Sequence, residues 1–452
     1  MRAVNLLYVH GTAIGYGRMG VYIASELAKR DITVYDHLTG TEVDSDAILS
    51  ASERVGHRQR NEGIAETACW LSVPTHARGW WKNQRPVIST MWEASVLPES
   101  FRENLHEFER VIVPSRHNVE LFSKYHPNVQ YAPLGVDPDR WKFVDREVGS
   151  TFRFLIGGSG ARKGTDLAFK AFHLAFPGDR FDGPTPVLVM KNPKGEDFYG
   201  DRIEMVSGRL TDQEEVDLYA SCHAYLQPSR GEGFGLQPLQ AIAQGMPTIL
   251  TDAHGHESFA HLGIGLSSKM VPAAYFIYGD AGDWWEPDLD ELVDQMRWVY
   301  DHYDEAKNRA VGASDAARNE FSWSAACDKF IDALGGIDSL RPLPNPGGWY
   351  KPTSRRYLVV TNQPWTADIA GATYQFEPGR WYYEPADVKR ILMDAGLLDP
   401  VCIRPNGDED LGLAPSQLAK IDGYSAAHSY CHACHQKLGS GVTKADELMA
   451  AR

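Results

Sequence analysis

The sequence predicts an α/β fold of doubly wound parallel sheets, and three observations carry that prediction. Short apolar runs alternate with helical patterns through most of the chain. Several of the runs end in Gly, Ser or Asp, as strands do where they hand over to a loop. No fixed-period repeat interrupts the alternation, and no apolar run approaches the roughly 18 residues of a membrane span.

The elements follow in order. "VNLLYVH" reads as a first buried strand, "GVYIASELAKR" as its helix and "DITVYDH" as the next strand. "RVIVPS" continues the series, which closes near residue 145 after "VQYAPLGVDPDRW". A second series opens at "TFRFLIGG" and runs through "PVLVMKN", "HAYLQPS" and "MPTILTD" to about 275. Within it, Thr211 with Glu214 three residues on is a capping box that starts a helix. Pro238 suits the first turn of another helix, with Gly245 as its stop and Pro247 beyond. Residues 286–334 are helical in spacing, and the Pro/Gly-rich "RPLPNPGGWYKP" at 341–352 reads as a linker. The expected division is 1–145, 146–340, a linker over 341–356, and a small α+β extension over 357–452.

Composition narrows the function classes. At 452 residues, with 43% apolar and 23% charged residues, the chain can bury sizeable cores. A net charge of −15 disfavours nucleic-acid and anionic-membrane partners. "MRAVNLLYVHGT" lacks the features of a signal peptide, and the six cysteines form no disulfide framework, so a reducing cytoplasm is expected. Cys69, Cys222 and Cys327 are isolated and read as small core residues.

Chemistry concentrates in "SRGEGFGLQPLQAIAQGMPTILTD", 229–252. Glu232 leaves the carboxyl end of a strand, where parallel sheets bind ligands. Gly233 and Gly235 let backbone approach a ligand, and the helix that follows offers free N–H groups to phosphate. A carboxylate beside phosphate repels it, so Glu232 suits hydroxyl groups, and hydroxyls near a phosphate suggest a sugar nucleotide. A solvent-exposed acid in a glycine turn is the alternative. "FLIGGSGARKGTDLAFKAF", 154–172, adds Arg162 and Lys163 on a glycine loop, two cations able to neutralise a diphosphate without the Walker spacing. A competing pattern is Gly15-x-Gly17-x-x-Gly20 with Asp36 beyond the next strand, a dinucleotide fingerprint that implies an NAD(P)-dependent oxidoreductase. The five residues "GTAIG" make its turn long, and it leaves 158–164 and 231–240 unused. The Asp-x-Asp triplets at 44–46, 137–139, 288–290 and 408–410 follow no convincing buried strand, so metal-dependent transfer is not expected.

The glycine loop at 15–17, "RVIVPSRHNVELF", "APLGVDPDRW", "GSGARKGTDLAFKAF", the run 207–252 and "FSW" at 321–323 together resemble the retaining glycosyltransferase family four. The resemblance spans about residues 1–340 and implies the GT-B fold, two Rossmann-like domains facing a cleft. It implies a retaining enzyme that moves a sugar from a nucleoside-diphosphate donor to an acceptor hydroxyl without a cofactor. A non-catalytic sugar-nucleotide-binding relic is a further possibility. By resemblance, Arg162 and Lys163 hold the diphosphate and Glu232 contacts the donor sugar. The N–H groups around Phe234, Gly235 and Leu236 hold sugar and phosphate, and Gly15 and Gly17 face the donor from the first domain. The second acid of the family's glutamate pair is Gln240 here, a side chain still able to bond a ribose. Where many members place a histidine, this chain has Trp92 and Glu93, candidates for sugar or acceptor contact, with His76 in reserve. Trp92 reads equally as a buried tryptophan and Glu93 as a solvated acid.

The tail holds Cys431-x-x-Cys434 with His428, His432 and His435. A structural zinc on Cys431, Cys434 and His435 is one expectation and a plain reduced tail the other. Residues 357–400 resemble short modules of tailed-phage proteins, which implies a phage-encoded enzyme with a protein acceptor.

Overall fold

A computed structural model describes residues 2–8, 15–38, 63–74, 80–191, 200–208, 210–274, 281–347, 349–350, 356–360, 364–369, 372–376 and 381–385. Two six-stranded parallel sheets organise it.

The first sheet takes β1 (Arg2–Tyr8), β2 (Ile32–Leu38), β3 (Thr67–Leu71), β5 (Arg85–Ser89), β6 (Arg110–Val113) and β7 (Val129–Tyr131) in the order β2-β1-β3-β5-β6-β7. The short β4 (Trp80–Trp81) lies outside it. Helix α1 (Gly15–Lys29) follows β1, α2 (Glu99–Leu105) precedes β6, and α3 (Arg116–Ser123) follows it. From Ala3 to Tyr8, β1 is buried at every residue, as a central parallel strand covered on both faces must be. Asn5, in the middle of that buried run, is satisfied: its Oδ1 accepts from Ala65 N–H at 2.7 Å and Gln84 Nε2 at 2.9 Å.

The second sheet takes β8 (Thr151–Gly157), β9 (Thr185–Lys191), β10 (Ile203–Val206), β11 (Ala224–Gln227), β12 (Thr248–Thr251) and β13 (Ile264–Leu266) in the order β10-β9-β8-β11-β12-β13. Strand order reverses between β8 and β11, so the loops that follow these two strands flank one crevice. Around this sheet lie α4 (Thr165–Ala175), α5 (Asp212–Ala220) and α6 (Leu236–Ala243). The Thr211–Glu214 capping box is present in full at the start of α5. Thr211→Ala removes it and should cost about 1 kcal/mol, readable as a lower urea midpoint; an unchanged midpoint would show that Glu214 alone suffices.

The hairpin of β14 (Ser268–Pro272) and β15 (Asp283–Pro287) reaches back to the first domain. Ser95 N–H donates to Asp283 O and Val96 N–H to Ala281 O, each at 3.0 Å. Trp284 and Ala281 are buried in the same apolar cluster as Trp70, Trp92 and Phe101. The stretch 286–334 divides into α7 (Leu289–Asp301), α8 (Tyr303–Glu320) and α9 (Trp323–Ala333). Helix α9 packs on the first domain: Trp323 stacks on Tyr22 at 4.9 Å and Arg30 pairs with Asp328. The chain passes between the domains twice, near Val136 and near Phe321–Trp323, and the two passages are bonded to each other. Val136 N–H donates to Phe321 O at 2.7 Å and Trp323 N–H to Val136 O at 3.0 Å.

The proline-rich stretch beyond α9 runs along the first domain. Glu66 N–H donates to Arg341 O at 2.8 Å and Leu343 N–H to Ile64 O at 2.8 Å, and β16 (Trp349–Tyr350) pairs with β4. Farther on, β17 (Arg356–Val360) pairs antiparallel with β20 (Trp381–Pro385), and β18 (Trp365–Ile369) with β19 (Ala372–Phe376). Cys69, Cys222 and Cys327 are buried and free. His76, Cys431, Cys434 and His435 lie outside the described residues. Among the described residues no helix is long and apolar enough to cross a membrane, and no group of three His, Cys, Asp or Glu side chains is placed to hold a metal ion.

Candidate active site

The loop after β8 and the loop after β11 meet at the reversal of strand order. Gly158, Gly160 and Gly164 have φ of 97°, 85° and 71°, and the single 3-10 turn Ala161–Lys163 between them presents two cations. A Cβ on Gly164 would lie 1.9 Å from Pro228 O, so only glycine lets the two loops close together. Arg230 fastens them. Its guanidinium forks onto Asp166 with two bonds of 2.8 Å, and it also bonds Ala161 O and pairs with Glu286. Arg230 is therefore a brace whose side chain is fully engaged with protein.

Arg162, Lys163 and Glu232 form one cluster. Lys163 Nζ donates to Glu232 Oε1 at 2.7 Å and Oε2 at 2.9 Å. Arg162 Nη1 donates to Gly231 O at 2.6 Å and Glu232 Oε2 at 3.2 Å. Glu232 is buried and not the solvent-exposed turn acid that spacing alone allowed. Burial pushes its pKa up, but Lys163 and Arg162, with a smaller push from His256, outweigh burial and hold it at about 2. Burial lowers the Lys163 pKa, and Glu232 opposes that shift.

Helix α6 is preceded by its N-cap Gly235, whose φ is 107°. The N–H groups of Phe234, Gly235 and Leu236 have no protein acceptor among the described residues. They form a donor cluster at the positive end of the helix. The Phe234 side chain packs against Phe259 and Phe321, so only its backbone is available to a ligand. Gln240 is buried and its Oε1 is without a protein partner. Gln227 Nε2, at the end of β11, and Ser229 Oγ, in the loop after it, are orphaned in the same way. Buried orphans of this kind are rare, and a bound ligand is one way to satisfy them.

The first domain closes over this loop. Asn118 Nδ2 donates to Gly233 O at 3.2 Å while its Oδ1 accepts from Trp92 N–H at 2.7 Å. Trp92 is the buried alternative. At 2% exposure, with Nε1 bonded to Val96 O and its ring against Phe101, it offers no face to a sugar. Glu93 is half-buried across the cleft, close enough to raise the Lys163 pKa. Gly15 and Gly17 stand in the first turn of α1, Gly15 exposed and Gly17 buried. Between them Tyr16 Oη accepts from Met91 N–H at 3.1 Å, placing the start of α1 at the cleft. Gly20 serves packing, since a Cβ there would lie 2.2 Å from the Tyr8 ring. With β1 ending at Tyr8 and the helix opening at Gly15, the first two glycines sit within a helix and not in the tight turn a dinucleotide site needs. Arg18 of α1 reaches Glu215 of α5 at 3.0 Å, where Lys191 also pairs.

Residues 115–330 match the family described as family 4 glycosyltransferase in conflict systems. That stretch, just under half of the chain, is similar to glycosyltransferase family 4. Relatives of this chain include mannosylfructose-phosphate synthase of Agrobacterium fabrum, 21% identical over 258 residues, 52% of this chain and 53% of that protein. A 49-residue stretch is 41% identical to a protein of Sulfolobus islandicus filamentous virus called glycosyltransferase 41, over 11% of this chain and 15% of the viral one. The chain thus spans about half or less of the length of these two relatives. Its fold is GT-B, as in sucrose-phosphate synthase from Thermosynechococcus elongatus (TM-score 0.53, 13% identity, 74% of this chain and 98% of that one). HepE of Anabaena, solved with UDP and glucose, shares the fold at a TM-score of 0.51 and 14% identity, over 74% of this chain and 100% of that one.

Sequence patterns did not single out His254 and His256, although "TDAHGHE" leaves the end of β12 just as Glu232 leaves β11. His254 has a φ of 49°, and Gly255 N–H donates to Glu232 O at 2.9 Å. The His256 ring lies against Gly235, where a Cβ would come within 2.7 Å of Nε2. Burial lowers the pKa of His256 to about 4 and holds that of His254 well below the ordinary histidine value. Unfolded histidine takes its proton near 6.5. The folded form refuses it, so stability is full above that pH and falls below it. Glu232 and Glu215, both held at about 2, add a second loss that begins only in the ordinary carboxylate range and runs down toward pH 2. The thermal midpoint should therefore fall already between about pH 6.5 and 5, and His254→Gln/His256→Gln should flatten that limb. A level wild-type profile there would contradict the histidine assignment.

Proposed function

We propose that this chain is a retaining glycosyltransferase that transfers a hexose from a nucleoside-diphosphate sugar to a hydroxyl acceptor. The observation that carries this is the meeting of Arg162, Lys163 and Glu232 with the free N–H groups of Phe234–Leu236 at the β8/β11 reversal. The two cations and the helix end stabilise negative charge where it grows on the departing diphosphate. Gln240 takes the ribose, an assignment supported by its orphaned Oε1. Glu93, Met91 and Tyr16 face the same cleft from the first domain and bound the acceptor side. Closure there aligns acceptor with donor and keeps out water that would hydrolyse the sugar. The proposed setting is the cytoplasm, and the proposed acceptor is a protein before a glycan or lipid. Support for the protein acceptor is the resemblance of 357–400 to tailed-phage modules.

The test is a thermal-shift panel of UDP, GDP, ADP, their sugar nucleotides and NAD(P), with wild type and Arg162→Ala/Lys163→Ala. Stabilisation by one nucleoside diphosphate, lost in the double variant, is expected. Proton NMR of the product formed from that base's sugar nucleotide then reads the anomeric outcome. Stabilisation by NAD(P) alone, indifferent to the double variant, would return the function to the Gly15–Gly20 segment.

A further inference from the structure

The two cations that suit a diphosphate are paired with the chain's own carboxylate. Lys163 spends two of its three N–H bonds on Glu232, and Arg162 contributes one more. We propose that Glu232 is an internal stand-in for the diphosphate and thereby a specificity-determining residue, one that favours the intact sugar nucleotide over the nucleoside diphosphate product. The inference rests on the proposed nucleotide-sugar site and adds what that site discriminates.

The reasoning follows the carboxylate. A diphosphate arriving at Arg162 and Lys163 must take their N–H bonds from Glu232. The displaced carboxylate is buried, its side chain only 7% exposed, so it cannot fall back on bulk water. Leaving a buried charge unpartnered is costly, whereas hydroxyl donors remove most of that cost. A sugar on the diphosphate brings hydroxyl groups to the place the cations have left, and the bare diphosphate brings none. Donor and product therefore meet the same cations, but only the donor repays the displacement of Glu232. After transfer the carboxylate returns to Lys163 and helps expel the product. Glu232 is also fixed from behind, because Gly255 N–H bonds its carbonyl and Gly231 O is tied to Arg162. The exchange is thus a side-chain movement over a fixed backbone.

Calorimetry on the full chain decides it, with wild type, Glu232→Gln and Glu232→Asp against UDP and UDP-glucose, GDP and GDP-mannose, and ADP and ADP-glucose. For the base that wild type binds, Glu232→Gln should bind the diphosphate about tenfold or more tightly than wild type. Its affinity for the sugar nucleotide should be unchanged or weaker, so the ratio between the two collapses. Glu232→Asp keeps the charge for Arg162 but withdraws it by one methylene, and should fall between; it decides the matter if the glutamine variant does not fold. Inorganic pyrophosphate should bind Glu232→Gln more tightly than wild type by a similar factor. A diphosphate affinity that stays the same or weakens in the variants, with wild-type binding intact, overturns the inference and leaves the site. Failure of all six nucleotides to bind wild type overturns both.

Discussion

Alanine at Lys163 should lower kcat/KM for sugar transfer by about a thousandfold. The side chain stands on the loop between β8 and α4 with its ammonium at the crevice where the two loops meet. Arg162 cannot do the work of both cations, because one of its nitrogens, Nη1, is already tied to Gly231 O at 2.6 Å. Charge builds on the leaving diphosphate only as the glycosidic bond breaks, so the loss should fall more on kcat than on KM. The substitution also leaves Glu232 with one cation instead of two. That weakens a buried pair, but Arg162 Nη1 still donates to Glu232 Oε2 at 3.2 Å, so the carboxylate keeps a cation and the fold should survive. Initial rates together with a melting curve test this. A folded variant within tenfold of wild type would mean that the diphosphate is held elsewhere.

Gly231→Ala should lower transfer by about a hundredfold or more through geometry alone. A Cβ at this position would stand 2.0 Å from Glu93 O, on the opposite side of the cleft, and 3.2 Å from the Trp284 ring. Neither neighbour can yield cheaply: the first is backbone and the second is buried in the first domain's core. The methyl group therefore acts as a wedge between the domains. Residues 231–235 keep their place on the second sheet, so nucleoside diphosphate affinity should change much less than turnover. Small-angle scattering should show a larger radius of gyration. Turnover within a few-fold of wild type at unchanged radius would show that the cleft accommodates the methyl by local adjustment.

Local signals made much of this legible in sequence. Alternating apolar runs gave the parallel sheets, because strands buried on both faces read as continuous hydrophobic segments. The Thr211–Glu214 box and the Pro238–Gly245 pair fixed helix ends through backbone chemistry that needs no tertiary context. Arg162, Lys163 and Glu232 were found because each sits on a glycine loop at a strand end. Their mutual ion pairing was not, since it depends on loops about 70 residues apart. Trp92 shows the limit from the other side: its neighbourhood in sequence cannot distinguish an aromatic platform from core, and the contact with Phe101 decides it. The proline-rich stretch after α9 carries turn composition, yet its backbone bonds lie along the first domain. Partners so distant in sequence leave no local mark.

The paired passages at Val136 and Phe321–Trp323 have a mechanical meaning. Two covalent connections set far apart would brace the domains against rotation, but two bonded side by side act as a single strap. They leave one easy motion, a turning about the line they share, while sliding of one domain past the other would have to break Val136 from its neighbours. The contacts of Ser95 and Val96 with the β14–β15 hairpin form a clasp away from that line. Opening the cleft about that line therefore means unfastening the clasp while the strap holds.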